Sequence, residues 1–359
     1  MIFAPRLFEF KKNKLIPLDE FVEKALYKPD IGYYTKKIPF GKRGDFITAP
    51  TISNLFSEII SIWVISTWEK LGKPKNFNFV ELGPGDGSFA KVFINTIKKF
   101  SLFNKSTNIF LYEKSGLLKS VQKKKLKGSK VKWISNFDKL KRGPVIFFGN
   151  EFFDAIPIKQ FSYKKELLLE KCYSISPEIG LYETYKKAKK EDIKNINSFK
   201  ILKGQKFIEY PKLGLKELDK IVKKINVLSG GVLLIDYGYL NVLNKSTLQS
   251  VMKNKKVNMR SFLKNLGKAD VTSLVNFNLL KEFFLKNRLK VKNIVSQKFF
   301  LEKMGIIERA NILEKRMSPK QKDYMFSTLI RLLHKEKMGT LFKVIFAYKA
   351  KNSNFFGFK

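Results

Sequence analysis

The hydrophobic and polar positions follow two rhythms along the chain. Between residues 76 and 150, short apolar runs alternate with stretches of helical spacing. Phe77 to Leu82, Asn108 to Glu113, Lys130 to Ile134 and Pro144 to Gly149 read as four strands. Ser88 to Phe100 and Ser115 to Leu126 read as the helices between them. Near-continuous apolar strands alternating with amphipathic helices predict a parallel sheet with helices on both faces. Gly230 to Tyr237 (GGVLLIDY) reads as a fifth buried strand, and Thr340 to Tyr348 as a final strand that closes the sheet. Three further helices are expected at Leu18 to Leu26, Ser53 to Leu71 and Leu213 to Asn226. The second has Leu55, Phe56, Ile59, Ile60, Trp63 and Val64 at apolar positions and stops at Gly72 and Pro74.

Other segments depart from this rhythm. Ile158 to Tyr163, Leu167 to Ser174 and Leu181 to Tyr185 read as strands of a β insertion, with turns at Lys164-Lys165 and Pro177 to Gly180. Residues 241 to 330 read as mostly helical, with a polar, mobile stretch at Lys253 to Lys256 and a further strand at Leu289 to Ser296. Residues 28 to 50 are rich in Gly, Pro and aromatics and read as a long structured loop, a kind that often carries function. The expected organisation is an N-terminal extension over 1–75 and a core over 76–240 with the β insertion at about 158–210. A mostly helical insertion over 241–330 and a closing strand within 331–359 complete it.

Composition adds constraints. The chain has 359 residues, 44% of them hydrophobic, enough for a large core. The formal net charge is +40, which by itself points to an anionic partner. However, only eight of the 71 basic residues are arginine, the side chain whose planar fork reads phosphates and bases, and the 71 − 8 = 63 lysines are spread along the whole chain. A solvated basic surface is therefore the expected reading. One cysteine, Cys172, allows no intrachain disulfide and fits a reducing compartment. One histidine, His334, leaves little material for zinc and no Ser-His-Asp triad without it. The N-terminus lacks a secretory apolar stretch, and Ile59 to Trp68 is too short to span a bilayer. A soluble intracellular protein is expected.

Three clusters carry candidate chemistry. In Phe79 to Phe89 (FVELGPGDGSF), Glu81 precedes Gly83, Gly85 and Gly87 at the end of the first strand. The spacing differs from the Gly-x-Gly-x-x-Gly of dinucleotide sites, and the acids Glu81 and Asp86 suit a cationic or hydroxyl-rich ligand better than a phosphate. Glu113 ends the second strand, where an acid can accept both hydroxyls of a ribose. Asn150, Glu151 and Asp154 follow the fourth strand in NEFFDAIP, beside two phenylalanines, where carboxylates are costly unless paired or used.

These clusters resemble the class I S-adenosylmethionine-dependent methyltransferases. GYY at 32–34, GKRGDFITAP at 41–50, NEFFDAIPIKQF at 150–161, IDYGY at 235–239, ADVTSLVNF at 269–277 and MGTLFKV at 338–344 resemble, in order, the MidA-like family. Its mitochondrial members are arginine methyltransferases acting in respiratory complex I assembly. The resemblance implies an α/β, Rossmann-like sheet and S-adenosylmethionine as cofactor, without a metal. It implies Glu81, Gly83, Gly85 and Gly87 as the cofactor turn and Glu113 on the ribose. Asn150, Glu151 and Asp154 would face the reacting centre, and Gly44 to Pro50 would cover it. Asp45, Thr48 and Tyr33 are the expected substrate contacts. A protein substrate follows, a complex I subunit being the family's target, with a cytoplasmic location in a bacterium or the mitochondrial matrix in a eukaryote. Peripheral membrane contact stays open and nucleic acid is disfavoured. Where the family has His and Asp, this chain has Leu274 and Asn276. The alternatives are a nucleic-acid methyltransferase and a non-catalytic, cofactor-binding assembly chaperone.

Overall fold

The computed structural model describes residues 14–29, 32–36, 49–176, 180–252, 255–257 and 266–359. Its centre is a sheet whose six long strands are β1 (Phe77–Leu82), β2 (Thr107–Tyr112), β3 (Val131–Ile134), β4 (Val145–Asn150), β5 (Gly230–Tyr239) and β6 (Phe342–Lys349). Their spatial order is β3-β2-β1-β4-β5-β6. The first five run parallel, and β6 lies antiparallel to β5, from Gly230 opposite Lys349 to Tyr237 opposite Phe342. This is the α/β sheet expected from the sequence.

Alternation along the strands divides the core between the two faces. Phe79, Ile146, Phe148, Leu233, Ile235, Val344 and Phe346 pack on one side, against α2 (Asn54–Lys70), α3 (Ser88–Ile97) and helix Pro319–Leu333. Val80, Phe147, Val232, Leu234 and Ile345 pack on the other, against α5 (Lys212–Leu228) and helix Phe277–Lys286. Both faces are apolar because both are covered, so these strands lack the polar alternation of a one-sided sheet. The helix α4 (Gly116–Lys125) connects β2 to β3. Ser53 caps α2 and Ser115 caps α4, each hydroxyl accepting a backbone N–H of its helix.

The β insertion forms an antiparallel sheet of its own. Lys159–Lys164 and Leu167–Ser176 pair as a hairpin, and Gly180–Lys187 pairs with the long strand. Phe207–Tyr210, which has no clear alternation in the sequence, adds to the other edge of the hairpin. The N-terminal pair Ile16–Pro17 also joins this sheet, opposite Cys172 and Tyr173. It brings α1 (Leu18–Tyr27) with it, and Lys159 ion-pairs with Asp19 of that helix and with Glu170, all three buried.

The stretch expected to be mostly helical opens with strands instead. Gln249–Met252, Lys255–Val257 and Asp270–Thr272 form a small sheet. Its hairpin falls in the polar lysine stretch read as mobile, where no apolar alternation announces a strand. Lys253 lies outside the described residues, as do Pro177 and all of residues 1–13 and 37–48. Helices Phe277–Lys286, Gln297–Lys303, Ile306–Glu314 and Pro319–Leu333 follow. Leu289 to Ser296 contributes only two-residue strands to the outer edge of β6. Among the described residues no helix is long and apolar enough to cross a membrane.

Candidate active site

The chain leaves β1 towards β2 and β3 on one side and returns to β4 on the other. Leu82 sits level with Tyr112 of β2 and with Gly149 of β4, so the three carboxyl ends open together. A crevice forms at such a reversal of strand order. The glycine turn lies over it. Gly83, Gly85 and Gly87 have φ of +62°, +55° and +79°. These left-handed values explain the glycines, since a Cβ is strained there. Space is also tight: a Cβ on Gly83 would stand 3.1 Å from the Phe152 ring. The Gly83 N–H donates to the Tyr112 carbonyl at 3.0 Å, which ties the turn to the neighbouring strand. Asp86, expected to suit a ligand, serves the turn itself. Its carboxylate accepts the Ser88 N–H at 2.9 Å, starting α3, and meets Lys125 Nζ at 2.6 Å.

Two clefts flank the turn. The larger encloses about 700 Å³, with Tyr27, Tyr34, Glu113, Glu151, Phe152 and Glu217 among its walls. The smaller, about 450 Å³, is walled by Pro50, Glu81, Phe148, Asn150 and Glu151. Gly83, Gly85 and Glu151 line both.

Glu81 is buried and its Oε2 has no hydrogen-bond partner. Burial, with Asp86 and Glu113 nearby, holds its carboxyl well above the usual range. Glu113 is buried just past β2. Its Oε1 accepts the Ser115 N–H at 2.8 Å and its Oε2 accepts from Gln122 Nε2 at 3.1 Å. Burial raises its pKa, against those hydrogen bonds. Asn150, the last residue of β4, leaves its Oδ1 without a partner.

Glu151 is the most constrained of the set. Its φ is +51°, a left-handed value that costs a non-glycine residue about 1–3 kcal/mol. The strain is held by its N–H, which donates to the Ile235 carbonyl at 2.9 Å. Oε1 accepts from Asn150 Nδ2 at 3.1 Å and from the Ala49 N–H at 3.4 Å. Oε2 accepts from the Tyr237 hydroxyl at 3.3 Å. Burial pushes its carboxyl up to about 7, opposed by these donors and by the positive charge of Arg331. The residue keeps some exposed surface toward the clefts while the carboxylate is enclosed.

Asp154, expected to face the reacting centre, is buried and lines neither of these two clefts. Asp236 Oδ2 accepts the N–H groups of Phe153 and Asp154, at 2.8 and 3.2 Å, and folds this turn back onto β5. The Asp154 Oδ1 has no partner, and burial beside Asp236, Glu151 and Asp270 holds its carboxyl well above the usual range. Burial also pushes Asp236 up, to about 8. At Asp236 this shift is opposed by the backbone N–H groups of Phe153, Asp154 and Tyr237, which all donate to its carboxylate.

Tyr33, expected to touch substrate, is fully buried with Phe21 and Tyr173. Its neighbour Tyr34 faces the larger cleft, stacks on Tyr27 and donates its hydroxyl to Asp270 at 2.8 Å. Asp45 and Thr48 lie outside the described residues, as do residues 44–48 of the covering stretch. His334 is exposed beyond helix Pro319–Leu333, its Nδ1 accepting the Glu336 N–H. The sequence reading assigned no role to Tyr27, Tyr34, Gln122, Asp236, Tyr237 or Glu217. Asp236 and Tyr237 did carry a signal: two polar residues at the end of a buried strand. Among the described residues no group of three or more His, Cys, Asp or Glu side chains is placed to hold a metal.

The chemistry of the site is that of an acceptor-rich crevice. Its free buried oxygens on Glu81 and Asn150 call for donors. S-adenosylmethionine has an ammonium group, two ribose hydroxyls and a sulfonium cation, so the residues present fit it. A protein named Protein arginine methyltransferase NDUFAF7, mitochondrial, from Danio rerio is 26% identical over 91% of this chain and 82% of its own. The homolog of that name from Caenorhabditis elegans is 28% identical over 91% of this chain and 82% of its own. A Burkholderia thailandensis protein crystallised bound to S-adenosyl-homocysteine shares the fold, with a TM-score of 0.80 at 21% identity over 95% of this chain and 89% of that one. The profile of a family described as "Putative S-adenosyl-L-methionine-dependent methyltransferase" matches residues 59–295, well over half the chain. The chain belongs to this family of S-adenosyl-L-methionine-dependent methyltransferases.

Proposed function

We propose that the methyl acceptor is a guanidinium nitrogen of a protein arginine. The observation that carries this reading is Glu151. Its backbone is strained, its carboxylate is held by three donors, and the residue lines both clefts. The names of the relatives from Danio rerio and Caenorhabditis elegans support the same acceptor. A respiratory complex I subunit is the proposed target, reached from the cytoplasm if the cell is bacterial.

In this reading Glu81 and Asn150 hold the amino-acid end of the cofactor, and Glu113 accepts the ribose hydroxyls. The glycine turn lets the backbone approach closely. Bound there, S-adenosylmethionine supplies an already activated methyl group. The protein's part is to position the acceptor. A guanidinium is always charged and donates in a planar fork, which a carboxylate accepts in pairs. Glu151 orients it, with Asn150 and Tyr237 fixing the carboxylate. The rings of Tyr27, Tyr34 and Phe152 wall the larger cleft, and an aromatic face attracts a cation. A guanidinium that gains a methyl group and remains a monocation releases one proton. Glu151, with its pKa pushed up towards neutrality, takes that proton. Asp154 and Asp236 hold the backbone of the turn that presents Glu151.

The test compares methylarginine peptides from cells with the protein, without it, and with Glu151→Gln. At least one peptide is expected to lose its methyl group in both altered strains. Loss of methylation on RNA alone would overturn the choice of acceptor.

A further inference from the structure

We propose that Gln122, oriented by Trp133, is a positioning residue that fixes the glycine turn and Glu113 against each other and so sets cofactor affinity. Gln122 lies on α4, completely buried. Its Nε2 donates to the Gly85 carbonyl at 2.8 Å and to Glu113 Oε2 at 3.1 Å. Its Oε1 accepts from Trp133 Nε1 of β3 at 2.9 Å.

The direction of each bond is fixed by chemistry. An indole N–H can only donate, so the amide oxygen faces Trp133. Both amide hydrogens then face the carbonyl and the carboxylate, which can only accept. The stem also packs beneath the turn: a Cβ on Gly87 would stand 3.5 Å from Gln122 Cγ. One side chain thus bonds to Gly85 and Glu113 and fills the space beside Gly87. These belong to two different loops, after β1 and after β2, with no residue in common. A rotated amide would set oxygen against oxygen at Gly85 and Glu113, and the Trp133 N–H excludes that rotamer.

The proposal rests on the reading that Glu113 holds the ribose, and the experiment separates the two. S-adenosyl-homocysteine affinity is measured by titration calorimetry for wild type, Glu113→Ala, Gln122→Met, Trp133→Phe and the double variant of the last two. Gln122→Met keeps the volume and removes all three bonds, and is expected to weaken binding about tenfold. Trp133→Phe is expected to weaken it about threefold. The double variant should lose no more than Gln122→Met alone, because both act through one amide. Asn78→Leu is the control, since Asn78 is another buried amide on β1, bonded to the Arg142 carbonyl at the far end of the strand. It should lower the melting temperature and leave affinity unchanged. If Gln122→Met fails to fold, Trp133→Phe reads the same coupling alone.

Unchanged affinity in Gln122→Met or in Trp133→Phe, with loss in Glu113→Ala, overturns the proposal and leaves the ribose reading standing. Unchanged affinity in Glu113→Ala overturns both. An equal loss of affinity in Asn78→Leu overturns the proposal by showing a general effect of stability.

Discussion

The cleft and the outer edge of the sheet differ in sign. At the amino ends of β2 and β3, a groove of about 1580 Å³ is edged by Lys98, Lys105, Lys130 and Lys132, with no acidic residue among the described residues of its lining. At the carboxyl ends, among the described residues, Glu113, Glu151 and Glu217 line the larger cleft against a single lysine, Lys114, and the smaller cleft has no basic residue in its lining. A chain of net charge +40 has therefore built an anionic site. Net charge describes the solvated outside, where water and salt screen each lysine within about 10 Å. The site's field comes from a few carboxylates in a poorly screened crevice. That is the sign a guanidinium, an ammonium or a sulfonium requires.

Breaking the acidic side should give the largest effect. Glu151→Gln is expected to lower methyl transfer by about 10²–10⁴-fold while S-adenosyl-homocysteine still binds. An equal loss of binding would assign Glu151 to the cofactor instead. Filling the turn comes next. Gly83→Ala adds a Cβ at φ +62° against Phe152 and should weaken the same ligand by a factor corresponding to about 1–3 kcal/mol, read by calorimetry. Unaltered affinity would mean the ligand does not approach that backbone.

The pH profile sharpens the role of Glu151. Its pKa is pushed up to about 7, so kcat/KM should rise about tenfold per pH unit below that value and flatten above it. Glu151→Gln should abolish this limb. A limb that survives belongs to another group.

Asp154 tests the buried carboxylates by stability. Its folded-state pKa lies above its unfolded value, so the folded chain keeps the proton longer. The penalty is absent below the ordinary aspartate range of about 4, grows as pH rises, and is complete above the folded value. Asp154→Asn should therefore stabilise the protein more at pH 8 than at pH 4, read from melting temperatures at the two values. Equal melting shifts at both values would show that Asp154 keeps its charge.

The smallest effect is expected on the basic side. Lys130→Glu with Lys132→Glu should change stability by no more than about 0.5 kcal/mol and leave cofactor affinity as it was. A large change in affinity would mean that the outer field reaches the cleft.

Much of the fold was legible because both faces of the sheet are covered. Apolar runs such as PVIFFG and GGVLLIDY can hardly be anything but buried strands. The glycine turn was legible for a related reason, since three alternating glycines after a strand imply close approach. What escaped depended on contacts distant in sequence. Tyr33 and Tyr34 are adjacent, and only the packing of α1 on the insertion sheet decides which faces the cleft. Asp154 resembles its neighbours until Asp236, on another strand, captures the backbone beneath it. The strand Phe207–Tyr210 and the sheet around Gln249–Met252 take their conformation from partners rather than from their own pattern.

The antiparallel strand β6 bears on how the site is made during synthesis. β5 carries Asp236 and Tyr237, but β6 leaves the ribosome only after everything between Tyr239 and Phe342. Until then a nascent chain holds β5 with one unpaired edge and its apolar face towards β6 uncovered, a template for sticking to other chains. The strand that carries Asp236 and Tyr237 thus gains its second long neighbour only once residues 342–349 have been made. A truncated product would bear a complete glycine turn on a sheet that is not closed.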